Sequence, residues 1–221
     1  MTLDRRADPE HVAAYIAKRI GMQLLMGSRV LWLVPGGSGI AVAVEAARTL
    51  VRAGVPLAGL TVTLTDERYG PVGHKDSNQA ALEAAGFMLP DATFLPVLSG
   101  VSREETARTW NEALAKAFDD ASYRIGLFGI GADGHTAGIL PGSPAVESEE
   151  LVAAYSAGAF ERITLTLHAI ATLDEAVAYA TGESKWPALA TLLATNALDS
   201  VQPAQVLKRV PHAILFSDYQ S

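Results

Sequence analysis

Cysteine is absent from the 221 residues, which excludes disulfides and thiolate metal sites but identifies no compartment. No apolar run is long enough to span a bilayer, so a membrane protein is not expected. The opening segment, MTLDRRADPEHVAAYIAKRI, lacks the charged-then-apolar layout of an export signal, and the cytoplasm is the expected location. Positive charge is in deficit: 17 Lys and Arg stand against 24 Asp and Glu, a formal net charge of −7. General nucleic-acid binding favours a basic face, so that class of partner is set aside. An anionic ligand needs local positive charge gathered against this background. Repeats, low-complexity linkers and composition breaks are also missing, so residues 1–221 read as one domain. Nothing in the residues specifies an oligomeric state.

The chain does carry ample core material, with 49 % hydrophobic against 19 % charged residues. Residues 9–26 have the periodicity of an amphipathic helix, with Val12, Tyr15, Ile16, Arg19 and Ile20 spaced for one face. RVLWLV (29–34) predicts a buried strand, followed by a glycine turn and a helix that stops at Gly54. GLTVTLT predicts a second strand ending at Asp66, then a polar loop over 67–76 and a helix over 77–85. Ser102 and Glu105 form a capping-box pattern for a helix to about Phe118. YRIGLFGIG, RITLTLHAI, EAVAYATG and HAILFS predict further strands, with helices over 184–194 and near 203–207. Apolar strands alternating with helices imply an α/β fold: a mainly parallel sheet covered by helices on both faces, three layers in all.

In open sheets of this kind ligands sit beyond the carboxyl ends of the strands. Four polar loops fall at such ends: PGGSG, TDERYGPVGHKDSN, GIGADGHTAGILPG and TGESK. Four loops on one rim make a pocket. In the first, Gly36 and Gly37 let a phosphate approach, Ser38 adds a hydroxyl donor, and the helix start behind them attracts anions. This loop lacks both the lysine of a Walker loop and the third glycine of a dinucleotide fingerprint. In the second, Arg68 can hold a phosphate or carboxylate bidentately, and Asp66 is placed to orient a sugar hydroxyl or take a proton. Glu67, His74 and Lys75 read as a solvated charged loop, and Asp76-Ser77 as a helix cap.

The third loop surrounds one histidine with glycines. His135 is placed for proton transfer near neutral pH, and Asp133, two residues earlier, can fix its tautomer and stabilise the imidazolium. A lone histidine here would read as a turn residue; sharing a rim with other polar loops, it reads as functional. His11, His168 and His212 lie in helical or strand-edge contexts and read as structural. Lys185 starts a helix, where a cation opposes the dipole unless an anion sits in front of it.

PGGSG, TDERYGPVGHKDSN, GIGADGHTAGILPGSP, RITLTLHAI and TGESKWPAL, in this order, resemble the 6-phosphogluconolactonase family and its relative, glucosamine-6-phosphate deaminase/isomerase. The resemblance covers nearly the whole chain, and the pairing of DER…DSN with GADGHTA…PG is highly specific. It implies a Rossmann-like fold of the sugar-phosphate isomerase type. Deaminases of the superfamily carry a glutamate just before the proline of the histidine loop; here that position is Leu140, ahead of Pro141. Leu140 cannot move protons, and with Thr136 it fits the lactonase branch. Two positions depart from the pattern: Ser38-Gly39, where relatives commonly carry threonine or proline, and Gly138, where many lactonases have serine.

The resemblance implies hydrolysis of 6-phospho-D-glucono-1,5-lactone, with His135 as general base on water and no metal or organic cofactor. Arg68, Lys185 and the Gly36–Ser38 loop would anchor the phosphate. The alternatives are an isomerase or deaminase using Asp66 as carbon base, a non-catalytic sugar-phosphate-binding protein, and a bland α/β domain whose rim loops are only turns.

Overall fold

The computed structural model describes residues 1–220. Along the chain run β1 (Thr2–Asp4), α1 (Pro9–Leu25), β2 (Val30–Val34), α2 (Gly39–Arg52), β3 (Leu60–Leu64), β4 (Asp66–Arg68) and α3 (Asn78–Ala84). They continue as β5 (Thr93–Phe94), α4 (Arg103–Asp120), β6 (Tyr123–Gly129), β7 (Val152–Ala157), β8 (Phe160–Leu165) and α5 (Leu167–Ala171). Last come β9 (Glu175–Tyr179), α6 (Trp186–Ala194), a 3-10 segment at Pro203–Arg209, and β10 (His212–Phe216).

Local signals explain where the helices begin. Asp8 accepts a hydrogen bond from the His11 amide at 2.8 Å, and Pro9 sits in the first turn, where no N–H is missed. Val12, Ile16, Ile20 and Leu24 then recur every four residues on the buried face of α1. At α4 the Ser102 hydroxyl accepts from the Glu105 amide at 3.3 Å, as the capping pattern anticipates.

Seven strands form one parallel sheet in the order β1-β10-β9-β6-β2-β3-β5. β2 and β9 are buried at all five positions, which requires cover on both faces. Crossover helices supply that cover, and the right-handed rule for parallel connections assigns each to a face. The connections β1-α1-β2 and β2-α2-β3 run one way across the sheet, so α1 and α2 share a face and pack on each other. The connections β5-α4-β6 and β9-α6-β10 run the other way, which puts α4 and α6 on the opposite face. The chain therefore leaves β2 in one direction while β6 lies on its other side. This reversal opens a crevice at the carboxyl ends of β2 and β6.

Several sequence expectations change. RITLTLHAI is not one strand of the main sheet: its first half is β8, and Thr166 caps α5 by accepting from the Ala169 amide at 3.2 Å. β8 lies between β7 and β4 in a separate antiparallel sheet, with Asp66 opposite Thr164 and Arg68 opposite Arg162. The loop expected from residue 67 thus begins as a strand. β1, β5 and β7 were unanticipated, and the turn at 203–209 is 3-10 rather than α-helical. Among the described residues no helix is long and apolar enough to cross a membrane.

Candidate active site

A cleft of about 200 Å³ opens at the reversal between β2 and β6. Four of the residues singled out by sequence line it: Ser38 from the β2–α2 loop, Asp66 at the start of β4, His135 beyond β6, and Lys185 before α6. Pro35, Gly129 to Gly131 and Ala137 complete the wall. Gly36, Gly37, Asp133 and Arg68 are not among its lining residues.

The histidine loop is built so that the imidazole folds back over its own backbone. Gly131 donates its amide to the His135 carbonyl at 2.9 Å. A Cβ on Gly131 would sit 2.2 Å from the His135 ring, so only glycine leaves room for the imidazole. Gly134, at φ +82°, makes the turn into His135. Asp133 then grips the histidine twice: its Oδ1 lies 2.6 Å from Nδ1 and accepts the His135 backbone amide at 3.1 Å. Nε2 is left without a protein partner among the described residues, and the side chain is 38 % exposed. Burial works to raise Asp133, but the His135 amide and ring outweigh it and hold the carboxyl below its ordinary value.

Asp66 differs in every respect. It is 6 % exposed, and its one side-chain hydrogen bond is from the Thr65 hydroxyl at 3.1 Å. Burial pushes its pKa above the usual carboxylate range, offset only in part by Arg68, the Thr65 hydroxyl, Arg162 and His135. Asp66, Arg68, Arg162 and Thr164 share one face of the small sheet, because strand residues alternate and the register pairs them. The two guanidinium carbons lie 5.3 Å (Arg68) and 5.8 Å (Arg162) from the Phe160 ring centroid. Each leaves its buried Nε without a partner, and neither is ion-paired to a carboxylate among the described residues. Arg162 was not singled out by sequence. Its signal is the cross-strand pairing with Arg68, visible only once β8 is known to leave the main sheet.

Glu67, expected on a solvated loop, is fully buried. Its carboxylate accepts from the amides of Arg68 (2.7 Å), Asn78 (2.6 Å) and Gln79 (3.0 Å), and from the Ser77 hydroxyl (2.9 Å). His74 likewise bonds locally, to the Arg68 carbonyl at 2.9 Å. This knot aims Asn78, which donates to the Asp66 carbonyl at 2.9 Å and abuts Gly36. A Cβ on Gly36 would fall 2.1 Å from the Asn78 side chain. Gly36 is therefore required by its protein neighbour, a reason different from the expected approach of a phosphate. Gly37 does face open space, at φ +60°. Ser38 makes no capping bond, so its hydroxyl stays available at the cleft, while the Ile40 amide of α2 is taken by the Gly37 carbonyl at 3.1 Å.

Lys185 makes no ion pair among the described residues and stands at the N-cap position of α6. The preceding turn is pinned from the C-terminal side: Asp218 accepts from the Gly182 amide at 3.0 Å and from the Trp186 indole at 3.2 Å. Among the described residues no group of three or more acidic or histidine side chains could hold a metal ion.

Known proteins resemble this chain in sequence and in fold. A 6-phosphogluconolactonase of Synechocystis is 29 % identical over 182 residues, covering 78 % of this chain and 76 % of the relative. A 6-phosphogluconolactonase structure from Shewanella baltica superposes with a TM-score of 0.82 at 20 % identity, covering 98 % of this chain and 97 % of that one. A monomeric glucosamine-6-phosphate deaminase reaches 0.81 at 17 % identity, covering 98 % and 97 %. The structural likeness thus speaks for the fold, which carries both activities. The sequence profile described as glucosamine-6-phosphate isomerases/6-phosphogluconolactonase matches residues 4–215. With nearly its whole length matched, the chain belongs to the glucosamine-6-phosphate isomerase/6-phosphogluconolactonase family.

Proposed function

We propose that this protein hydrolyses 6-phospho-D-glucono-1,5-lactone to 6-phosphogluconate, using His135 as general base on water. The observation that carries the reading is the carboxylate-steered imidazole, Asp133 to Nδ1 at 2.6 Å, in one cleft with Lys185 and Ser38. The 6-phosphogluconolactonase relative, matching about three quarters of both chains, supports it. Leu140, apolar where deaminases carry glutamate, weighs against the deaminase branch.

Nε2 of His135 takes a proton from water as the water oxygen attacks the lactone C1 carbonyl. The C1–oxygen bond forms, and the tetrahedral oxyanion collapses with rupture of the ring ester bond. The imidazolium returns its proton to the departing ring oxygen, and the new carboxylic acid ionises. Asp133 keeps Nδ1 protonated and offsets the imidazolium charge. Asp66 orients a sugar hydroxyl. The phosphate is received by Lys185, Ser38 and the uncapped start of α2, with Gly36 and Gly37 shaping the loop. Arg68, joined by Arg162, adds positive charge on the Asp66 side.

The test is a coupled assay in which glucose-6-phosphate dehydrogenase generates the lactone and its loss is compared with the spontaneous rate. His135→Ala should lower kcat by about a hundred- to ten-thousandfold and leave affinity for 6-phosphogluconate within about threefold, less than 1 kcal/mol. Full turnover by that variant would overturn the assignment of the base. Ammonia release from glucosamine 6-phosphate would point to the other branch instead, and binding with no hydrolysis to a non-catalytic sugar-phosphate binder.

A further inference from the structure

The segment from Thr136 to Leu140 must hold its shape with almost no side chain of its own. Ala137 carries one methyl group and sits at φ +50°, a left-handed conformation that alanine adopts only under constraint. Gly138 has none, and a Cβ there would lie 2.9 Å from the Thr164 Cβ and 3.0 Å from the Asp66 Cβ. The loop backbone therefore lies directly on the small sheet, and that sheet must supply the restraint.

Two of its side chains do so. The Thr164 hydroxyl accepts the Gly138 amide at 2.9 Å and donates to the Leu165 carbonyl at 3.0 Å. The Tyr155 hydroxyl, from β7, accepts the Leu140 amide at 3.1 Å and donates to the Gly138 carbonyl. Tyr155 is 8 % exposed and stands opposite Arg162 on the face that carries Asp66 and Arg68. Its one proton and one lone pair are thus both spent on the histidine loop, three and five residues beyond His135. The other end of the loop is tied by the Gly134 carbonyl, which accepts the Ala204 amide at 3.0 Å.

We propose that Tyr155 is a positioning residue for lactone hydrolysis, its hydroxyl clamping Gly138 and Leu140 so that His135 keeps its place in the cleft. This rests on the lactonase reading above. The substitution Tyr155→Phe keeps the ring and removes both bonds, freeing Ala137 to relax. Misplacing a catalytic group by about 1 Å costs up to about a hundredfold. The expected result is a 10- to 100-fold lower kcat with KM and 6-phosphogluconate affinity within about twofold of wild type. A folded Tyr155→Phe enzyme with wild-type kcat overturns the proposal, as does a variant in which KM rises and kcat holds.

Two further measurements keep the test open. Amide exchange at Leu140, read without substrate, should quicken in Tyr155→Phe more than at neighbouring amides; unchanged protection shows that there is no clamp. If Tyr155→Phe does not fold, Leu140 exchange in the wild-type protein decides: an amide held by the Tyr155 hydroxyl exchanges slowly, and exchange at the rate of an open loop overturns the proposal. Wild-type protein inert toward the lactone would instead refute the lactonase reading, while Leu140 exchange would still report on the clamp.

Discussion

Two buried carboxylates, Asp66 and Glu175, sit at opposite ends of the main sheet's strands and are treated in opposite ways. Glu175, at the start of β9, is wholly buried and saturated: it accepts from the Tyr15 hydroxyl and from the Arg19 guanidinium at 2.6 Å each, and from the Tyr123 hydroxyl. Burial, then the Glu175 charge, pushes Tyr15 up to about 12 and Tyr123 higher still, so both phenols remain donors at any ordinary pH. Asp66, at the cleft, has one hydroxyl bond and two nearby guanidinium groups that it does not pair. A saturated buried charge fastens the fold; an unsaturated one keeps interaction energy in reserve for a ligand.

The comparison breaks first at Glu175. Glu175→Ala leaves Arg19 and two buried phenols without their acceptor and should cost about 3 kcal/mol, or roughly 6–12 °C in Tm. Turnover per folded molecule should stay within twofold, because this cluster lies at the strand ends remote from the cleft. Calorimetry with an active-site titration checks both; a large loss of kcat with little loss of Tm would refute the division of labour. Next comes Asp133→Asn, which keeps the shape but no longer selects the imidazole tautomer. Its kcat should fall about a hundredfold, less than for a fully buried triad carboxylate because Asp133 is half exposed. A smaller effect belongs to Lys185→Ala: one charge-assisted bond to phosphate is lost, KM should rise about tenfold, and kcat should hold. Steady-state kinetics at two ionic strengths would show the KM of wild type, but not of the variant, climbing with salt.

The central strands could be read directly because burial on both faces leaves segments dominated by apolar residues, VLWLV above all, then LTVTL and EAVAY. The strands that escaped reading are the sheet edges Thr2–Asp4 and Thr93–Phe94, too short for a pattern, and the half-buried Val152–Ala157. Missing β7 hid the small sheet, and with it Arg162, Tyr155 and the register that sets Arg162 beside Arg68. Ser38, Asp66, His135 and Lys185, which meet at the cleft, could be singled out for a different reason. Each lies where a strand ends in a glycine-rich or charged turn, a context in which a polar residue has no packing role to explain it. Glu67 and Asn78 have an internal role, and nothing in DERYGPVGHKDSN separates a buried knot from a solvated loop.

The smallest effect sharpens the contrast most. Because the folded pKa of Asp66 is raised, the folded state disfavours the ionised form. Stability linked to this group is fully present below the unfolded carboxylate pKa and is lost as pH rises through the folded value. In the folded state the ionised carboxylate carries a desolvation cost that one hydroxyl bond does not offset. Asp66→Asn removes that cost while keeping the side chain's size and the Thr65 contact, so Tm at pH 7 should rise by roughly 2–4 °C, the shift made by about 1 kcal/mol in a chain of this length. The gain should shrink as pH falls below the carboxylate range, where wild-type Asp66 is protonated as well. The same substitution should lower kcat, because the amide offers a sugar hydroxyl one acceptor oxygen where the carboxyl group offers two. Thermal melts from pH 3 to 8 alongside kinetics separate the cases: Asp66→Asn melting below wild type at pH 7 would show that Asp66 fastens the fold as Glu175 does.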